Sequence, residues 1–291
     1  MSNEATHGLR WPKIFVRFVA QLAATIAALS SLPSDRLTSS SSIKIFYRAM
    51  KCSFSGKTDT GLIRSANQDA YAIDAAGRFF IVADGMGGHA GGDVASQIAT
   101  QTMTTYLERY WNSPKPSEIL LEEAFHQANQ AILQEQTLHV ERGDMGTTAV
   151  VVIFRDEQPM CAHMGDSRLY RLRGAKLEQI TVDHTWVARA IRLGEITADQ
   201  ARLHPLRHVL SQCLGRQEVK QIEVQPLAVQ PGDRILLCSD GLTEELSDQL
   251  SATRLKNIRV CDRAATALIE AAKEHGGRDN ITVVIVAFDM I

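Results

Sequence analysis

Five aspartates stand where an apolar run of this chain stops or is about to start. Phe79-Phe80-Ile81-Val82-Ala83 ends in Asp84-Gly85, and glycines then occupy positions 85, 87, 88, 91 and 92. Arg234-Ile235-Leu236-Leu237-Cys238-Ser239 ends in Asp240-Gly241. Asp166 follows Met164-Gly165, Asp279 precedes the apolar run from Ile281 to Phe288, and Asp69 closes Asn67-Gln68-Asp69, five residues after Arg64. The first stretch alone has two readings. Glycines let the main chain approach a ligand closely, which suits a cation or a phosphate, but they also suit a strand-to-helix turn capped by an aspartate. Recurrence decides between them. Several carboxylates at strand edges, with no Cys or His cluster at ligand spacing, suit a multinuclear Mg²⁺ or Mn²⁺ site rather than zinc. Arg64 adds a fork for phosphate, so the chemistry this set would serve is metal-assisted hydrolysis of a phosphate ester.

The elements that must hold these residues are legible in part. Val94, Ile98, Thr102, Tyr106 and Tyr110 recur every four residues beside Ala95, Ala99, Met103 and Leu107, which predicts a helix over 93–111. Leu121, Ala124, Ala128 and Ile132 predict a second over 117–138, with Ser117 as its cap. Cys261 to His275 reads as a third, stopped by Gly276-Gly277. Strands are expected at 149–154, 159–163, 168–173, 234–238 and 281–288, and Gly61 to Ile73 reads as strand, turn and return strand. Between Asp183 and Gly215 the pattern is helical and cationic, with a capping box at Thr197 and Gln200. His204 and His208 within it read as surface or capping histidines, since Pro205 breaks the spacing and no third ligand is near in sequence. Many strands with few long helices predict an α+β fold of two packed sheets with helices outside.

The net charge of 31 − 33 = −2 favours neither nucleic acid nor an anionic membrane as partner. Cys52, Cys161, Cys213, Cys238 and Cys261 form no CxxC pair, and Cys161 and Cys238 lie in strand-like runs as buried free thiols, which suits a reducing cytoplasm. Residues 1–49 differ from the rest, with an apolar stretch and a Ser-rich tract. A signal or membrane anchor, an amphipathic surface helix and a leader upstream of a true start at Met50 all fit. The uninterrupted apolar part, Leu22 to Leu32, is short for a bilayer about 30 Å thick, so the third reading is preferred.

From about Thr58 to Phe288 the motifs come in a recognisable order. They are Gly61-Leu62-Ile63-Arg64 with Asn67-Gln68-Asp69, Asp84-Gly85-Met86-Gly87-Gly88-His89, Gly146-Thr147-Thr148-Ala149 and Gly165-Asp166-Ser167-Arg168. Asp183-His184-Thr185, Ser239-Asp240-Gly241 and Arg278-Asp279-Asn280 follow. In this the chain resembles the metal-dependent protein phosphatases of the protein phosphatase 2C family, in their compact bacterial and cyanobacterial form.

The resemblance implies a four-layer α/β/β/α sandwich with two central, mostly antiparallel sheets, and a catalytic domain over 50–291 with a flap at about 183–215. It implies hydrolysis of phosphoserine and phosphothreonine in proteins by in-line attack of a water bridging two metal ions. Asp84, Asp240 and Asp279 would hold one ion, while Asp84 and the Gly85 carbonyl would hold the second. Asp166 would help hold a third, weaker one, and Asp69 would hold a metal-bound water directly or through an intermediary. Arg64 would clamp the substrate phosphate. His89 would either protonate the leaving oxygen or hydrogen-bond a metal-bound water. Gln68 stands where some members carry a glutamate, and the stretch before Leu214-Gly215 lacks a Thr-Arg-Ala common in the family. The expected partners are phosphorylated proteins, such as the signalling protein PII, and the expected state is a cytoplasmic monomer with no nucleic acid and no stable membrane association. The competing reading is a catalytically weak metal-binding regulatory or scaffold module of the same fold.

Overall fold

The structure, a computed structural model, describes residues 50–87, 91–156, 158–219 and 222–290. The readings of residues 1–49 and of His89 therefore lie outside the described residues. In chain order the strands are β1 (Met50–Asp59), β2 (Asp69–Ile73), β3 (Phe79–Met86), β4 (Gly146–Thr147), β5 (Ala149–Ile153), β6 (Met160–Met164), β7 (Arg168–Arg173), β8 (Lys176–Gln179), β9 (Glu223–Pro226), β10 (Arg234–Cys238) and β11 (Ile281–Met290). The helices are α1 (Gly92–Tyr110), α2 (Ser117–Leu138), α3 (Trp186–Arg192), α4 (Ala198–Arg202), α5 (Asp240–Thr243), α6 (Asp248–Asn257) and α7 (Cys261–Glu274).

One sheet runs β1-β11-β10-β7-β8 and the other β2-β3-β5-β6-β9, with β4 paired to the end of β3. All of these pairings are antiparallel. Alternation along each strand divides its side chains between two layers. In β3, Phe79 and Ile81 join the core beneath α1 and α2. In β11, Ile281, Val283, Ile285 and Ala287 join the core beneath α6 and α7. The opposite faces meet between the sheets. There Phe54, Phe80, Phe154 and Phe288 form a file with ring centroids 5.2, 5.9 and 5.2 Å apart. The result is the four-layer α/β/β/α sandwich, and no described helix is long and apolar enough to cross a membrane.

Several local expectations are corrected. Gly61 to Arg64 is a turn rather than a strand, and the strand lies earlier, in β1. Gly61 has φ +78°, and the Leu62 N–H donates to the Gly277 carbonyl at 2.7 Å, so this stretch is pinned away from strand geometry. Ser117 is the first residue of α2 rather than its cap, and its hydroxyl donates to Asp156 at 3.0 Å. The 183–215 region holds two short helices and then turns instead of a longer helix, although the capping box of Thr197 and Gln200 is formed.

Candidate functional site

Antiparallel register brings the aspartates to one end of both sheets. Cys238, which closes β10, pairs with Val283 near the start of β11 and with Arg168 at the start of β7. Asp240, Asp279 and Asp166 therefore leave that sheet at the same edge. In the other sheet Asp69 and Asp84 sit directly opposite each other in β2 and β3. Asp84, Asp166, Asp240 and Asp279 line a cleft of about 770 Å³. Asp69 is buried behind this floor, and its carboxylate accepts from the Ser239 hydroxyl at 2.7 Å.

The surrounding backbone is held by side chains. The Asp84 N–H donates to Thr148 Oγ1 at 3.0 Å, and its carbonyl accepts from Thr147 Oγ1 and from the Thr148 N–H, each at 2.8 Å. Ser239 Oγ also accepts the Thr282 N–H at 3.0 Å, which ties the end of β10 to the start of β11. Asn280 acts as a brace for the 60–68 turn. Its amide nitrogen donates to the carbonyls of Thr60 and Ala66, both at 2.9 Å, and its amide oxygen accepts the Gln68 N–H at 2.8 Å. That turn presents Arg64, whose guanidinium donates to Asp279 at 2.6 Å. Close approach makes Gly85 necessary: a Cβ there would lie 1.9 Å from the Gly92 carbonyl oxygen.

So many carboxylates in one recess repel their own ionisation. Burial, reinforced by the charges of Asp240 and Asp279, pushes Asp69 up to about 7. Burial with Asp240 and Asp183 pushes Asp166 up to about 8. Asp84 stands well above the ordinary carboxylate range from burial and then from Asp69 and Asp240, and it hydrogen-bonds the Asp240 carboxyl. Asp240 is raised by burial and by Asp279. One oxygen of Asp69 and one of Asp240 are buried without a hydrogen-bond partner. An uncompensated carboxylate out of water is costly, so the recess is built for positive charge.

Of the other lining residues, Glu244 had no signal in the sequence because its partners are remote along the chain, and His208, read there as a surface or capping histidine, is brought to the cleft by the fold. Glu244, pushed up to about 7 by burial and the nearby Asp240 and Asp279, accepts from or pairs with His208 Nδ1 at 2.6 Å. His208 thus lines the cleft, while His204 accepts the Leu206 N–H at 3.1 Å and stacks on Trp186. Arg168 grips Asp183 through Nε and Nη2 at 2.6 to 3.1 Å, which fixes the residue before His184 against β7.

A second cluster, His163, His184 and Glu223, brings ligand-type atoms within 4.8 Å of one another. Its hydrogen bonds do not suit a metal. His184 Nδ1 accepts the Gly165 N–H at 3.2 Å, so the ring proton sits on Nε2, 3.3 Å from Glu223, and blocks that lone pair. His163 Nε2 donates to the Val182 carbonyl at 2.8 Å, which leaves its Nδ1 open, but with His184 Nε2 blocked only one histidine and one carboxylate of the three remain as ligands. The stacked pair is a brace at the foot of the 183–215 segment.

The comparisons with known proteins agree with this geometry. The family model described as Protein phosphatase 2C matches residues 64–274. The serine/threonine phosphatase stp of Listeria monocytogenes is 34% identical over 239 residues, covering 80% of this chain and 95% of the relative. The serine/threonine protein phosphatase PstP of Mycobacterium tuberculosis is 36% identical over 235 residues, covering 80% of this chain and 44% of that longer protein. Among solved structures, the M. tuberculosis PstP/Ppp phosphatase superposes with a TM-score of 0.74 at 34% identity, covering 82% of this chain and 99% of that one. The PstP catalytic domain in complex with two manganese ions gives 0.73 at 33%, with the same coverage. Fold, motif order and matched span agree: the chain belongs to the protein phosphatase 2C family.

Proposed function

We propose that this protein is a Mg²⁺- or Mn²⁺-dependent protein phosphatase that hydrolyses phosphoserine and phosphothreonine in other proteins. The observation that carries the reading is the convergence of Asp69, Asp84, Asp166, Asp240 and Asp279 in one recess, with one oxygen of Asp69 and one of Asp240 buried without a partner. An all-oxygen donor set of this kind fits hard dications. Asp84, Asp240 and Asp279 would hold one ion, Asp84 with the Gly85 carbonyl a second, and Asp166 a third. When bound, such ions supply a water acidified for attack on phosphorus and neutralise the charge on the phosphoryl oxygens.

The chain's own residues have separate tasks. Thr147 and Thr148 fix the backbone of Asp84, so its carboxylate is aimed before any ligand arrives. Asp69, fixed by Ser239, accepts a proton or orients a water at the back of the recess. Arg64 stands beside Asp279 with its fork half-exposed and binds the non-bridging oxygens as charge grows on them. His89 is assigned to the leaving serine or threonine oxygen, as proton donor or as hydrogen-bond partner of a water there. Residues 50–291 form the catalytic unit and 183–215 its flap, and the protein works as a cytoplasmic monomer. Five free thiols support the reducing compartment.

The test is hydrolysis of p-nitrophenyl phosphate and of a phosphothreonine peptide with Mn²⁺, with and without chelator. Turnover that chelation abolishes and Mn²⁺ restores is expected. Tight Mn²⁺ binding with no turnover of either substrate would favour the scaffold reading instead.

A further inference from the structure

Four arginines line the cleft, and three are engaged. Arg64 donates to Asp279 at 2.6 Å. Arg278 donates to Glu245 at 2.8 and 3.2 Å, and Arg216 donates to the carbonyls of Met145 and Gly215 at 3.2 and 3.0 Å. Arg207 is exposed on the cleft wall and its guanidinium makes no hydrogen bond or ion pair among the described residues. Its field reaches Glu244, where it acts against the raised proton affinity of that carboxylate.

A lone surface arginine is ordinary where its backbone is loose. Here the backbone is clamped on both sides. Upstream, His204 stacks on Trp186 with ring centroids 4.6 Å apart and its Nδ1 accepts the Leu206 N–H. Downstream, His208 meets Glu244 at 2.6 Å and the Val209 carbonyl accepts the Trp186 N–H at 2.8 Å. The segment is therefore fixed while the fork stays open, an arrangement preorganised to receive an anion. The reacting phosphate already has its cation in Arg64, beside Asp279. A second open guanidinium in the same cleft addresses a different negative group.

We infer that Arg207 is a specificity-determining residue that makes this phosphatase prefer phosphorylated segments with an aspartate or glutamate beside the phosphoserine or phosphothreonine. The inference rests on the phosphatase reading above. Arginine meets a carboxylate with two parallel N–H···O bonds, and lysine cannot reproduce that fork.

The test uses three phosphothreonine peptides that differ only in an Asp, Ala or Lys flank, assayed with Mn²⁺ at low and high salt. The wild type should favour the Asp flank over the Ala flank by about fivefold or more in kcat/KM, mainly through KM, which corresponds to about 1 kcal/mol. Added salt should shrink that ratio. Arg207→Ala should bring the ratio close to one, Arg207→Lys should retain part of it, and Arg207→Glu should turn the preference toward the Lys flank. Turnover of all three peptides with the same ratios in wild type, Arg207→Ala and Arg207→Glu would overturn the inference while leaving the phosphatase reading intact. Absence of turnover on every peptide and on p-nitrophenyl phosphate would overturn both.

Discussion

At the scale of single residues the recess trades stability for ligand affinity. Burial pushes Asp69 and Asp166 up to about 7 and about 8 in the fold, whereas an aspartate of the unfolded chain stands at about 3.9. Between those values the folded chain keeps protons that the unfolded chain releases. Their contribution is therefore fully present below about pH 4 and is lost as pH rises through about 7 to 8. In chelator, the melting temperature of the wild type should fall from about pH 5 to pH 8.5 more steeply than that of Asp166→Asn, and Mn²⁺ should flatten the difference. Calorimetry at matched ionic strength reads this directly, and parallel curves in chelator would contradict the assigned burial. Removing a carboxylate should have opposite effects on the two properties. Asp240→Asn should melt no lower than wild type without metal, yet lose more than about a hundredfold in kcat, some 2.7 kcal/mol of transition-state stabilisation. Retention of a tenth of wild-type turnover would remove Asp240 from the proposed metal set.

At the scale of elements, the braces matter more than the strands they join. Asn280→Ala deletes three hydrogen bonds to the 60–68 turn and leaves buried backbone groups unpartnered, a cost of about 1–3 kcal/mol for such a group. The expected result is a lower melting temperature together with a raised KM for phosphopeptide, because the turn that presents Arg64 is loosened. A lower melting temperature with unchanged KM would show that Arg64 does not depend on this brace. None of these contacts was readable beforehand, since Asn280 and Ala66 are far apart in the chain. What periodicity reveals is a residue's own face. α1 and α2 were legible because Ala95, Ala99, Met103 and Leu107, then Leu121, Ala124, Ala128 and Ile132, mark continuous apolar stripes. α6 gave no comparable stripe, with only Ser251 and Leu255 buried. β1 alternates Met50, Cys52 and Phe54 with Lys51, Ser53 and Ser55, a short period-2 signal that stops at Gly56, and its pairing with β11 carries the strand on to Asp59. The aspartates were legible because an apolar run that ends in Asp-Gly is an unusual local event. Ser239, Glu244 and Arg207 are polar residues of ordinary local context, and only the tertiary fold gives them neighbours.

At the scale of the molecule, the two sheets are joined by the phenylalanine file. Phe80 is fully buried between Phe54 and Phe154. Phe80→Ala should destabilise the fold by about 3–5 kcal/mol, as aromatic truncation in a core does. It should also weaken Mn²⁺ binding, because Asp69 and Asp84 belong to one sheet while Asp240 and Asp279 leave the other. Chemical denaturation and a calorimetric Mn²⁺ titration on the same preparation test both halves. Unchanged metal affinity in a variant destabilised by that amount would mean that the relative placement of the sheets does not set the recess.

The position of β11 carries a consequence in time. It is the last strand in chain order, yet it lies between β1 and β10 and takes hydrogen bonds from both. During synthesis the slot between those strands must stay open until some two hundred residues after β1 have left the ribosome, exposing the edges of β1 and β10 to other strands meanwhile. Asp279 and Asn280 arrive with the strand that fills it. A growing chain therefore has no complete recess and no brace on the Arg64 turn until that insertion is made. The recess is thus completed by the closing of that one seam, and it cannot form before β11 has been made.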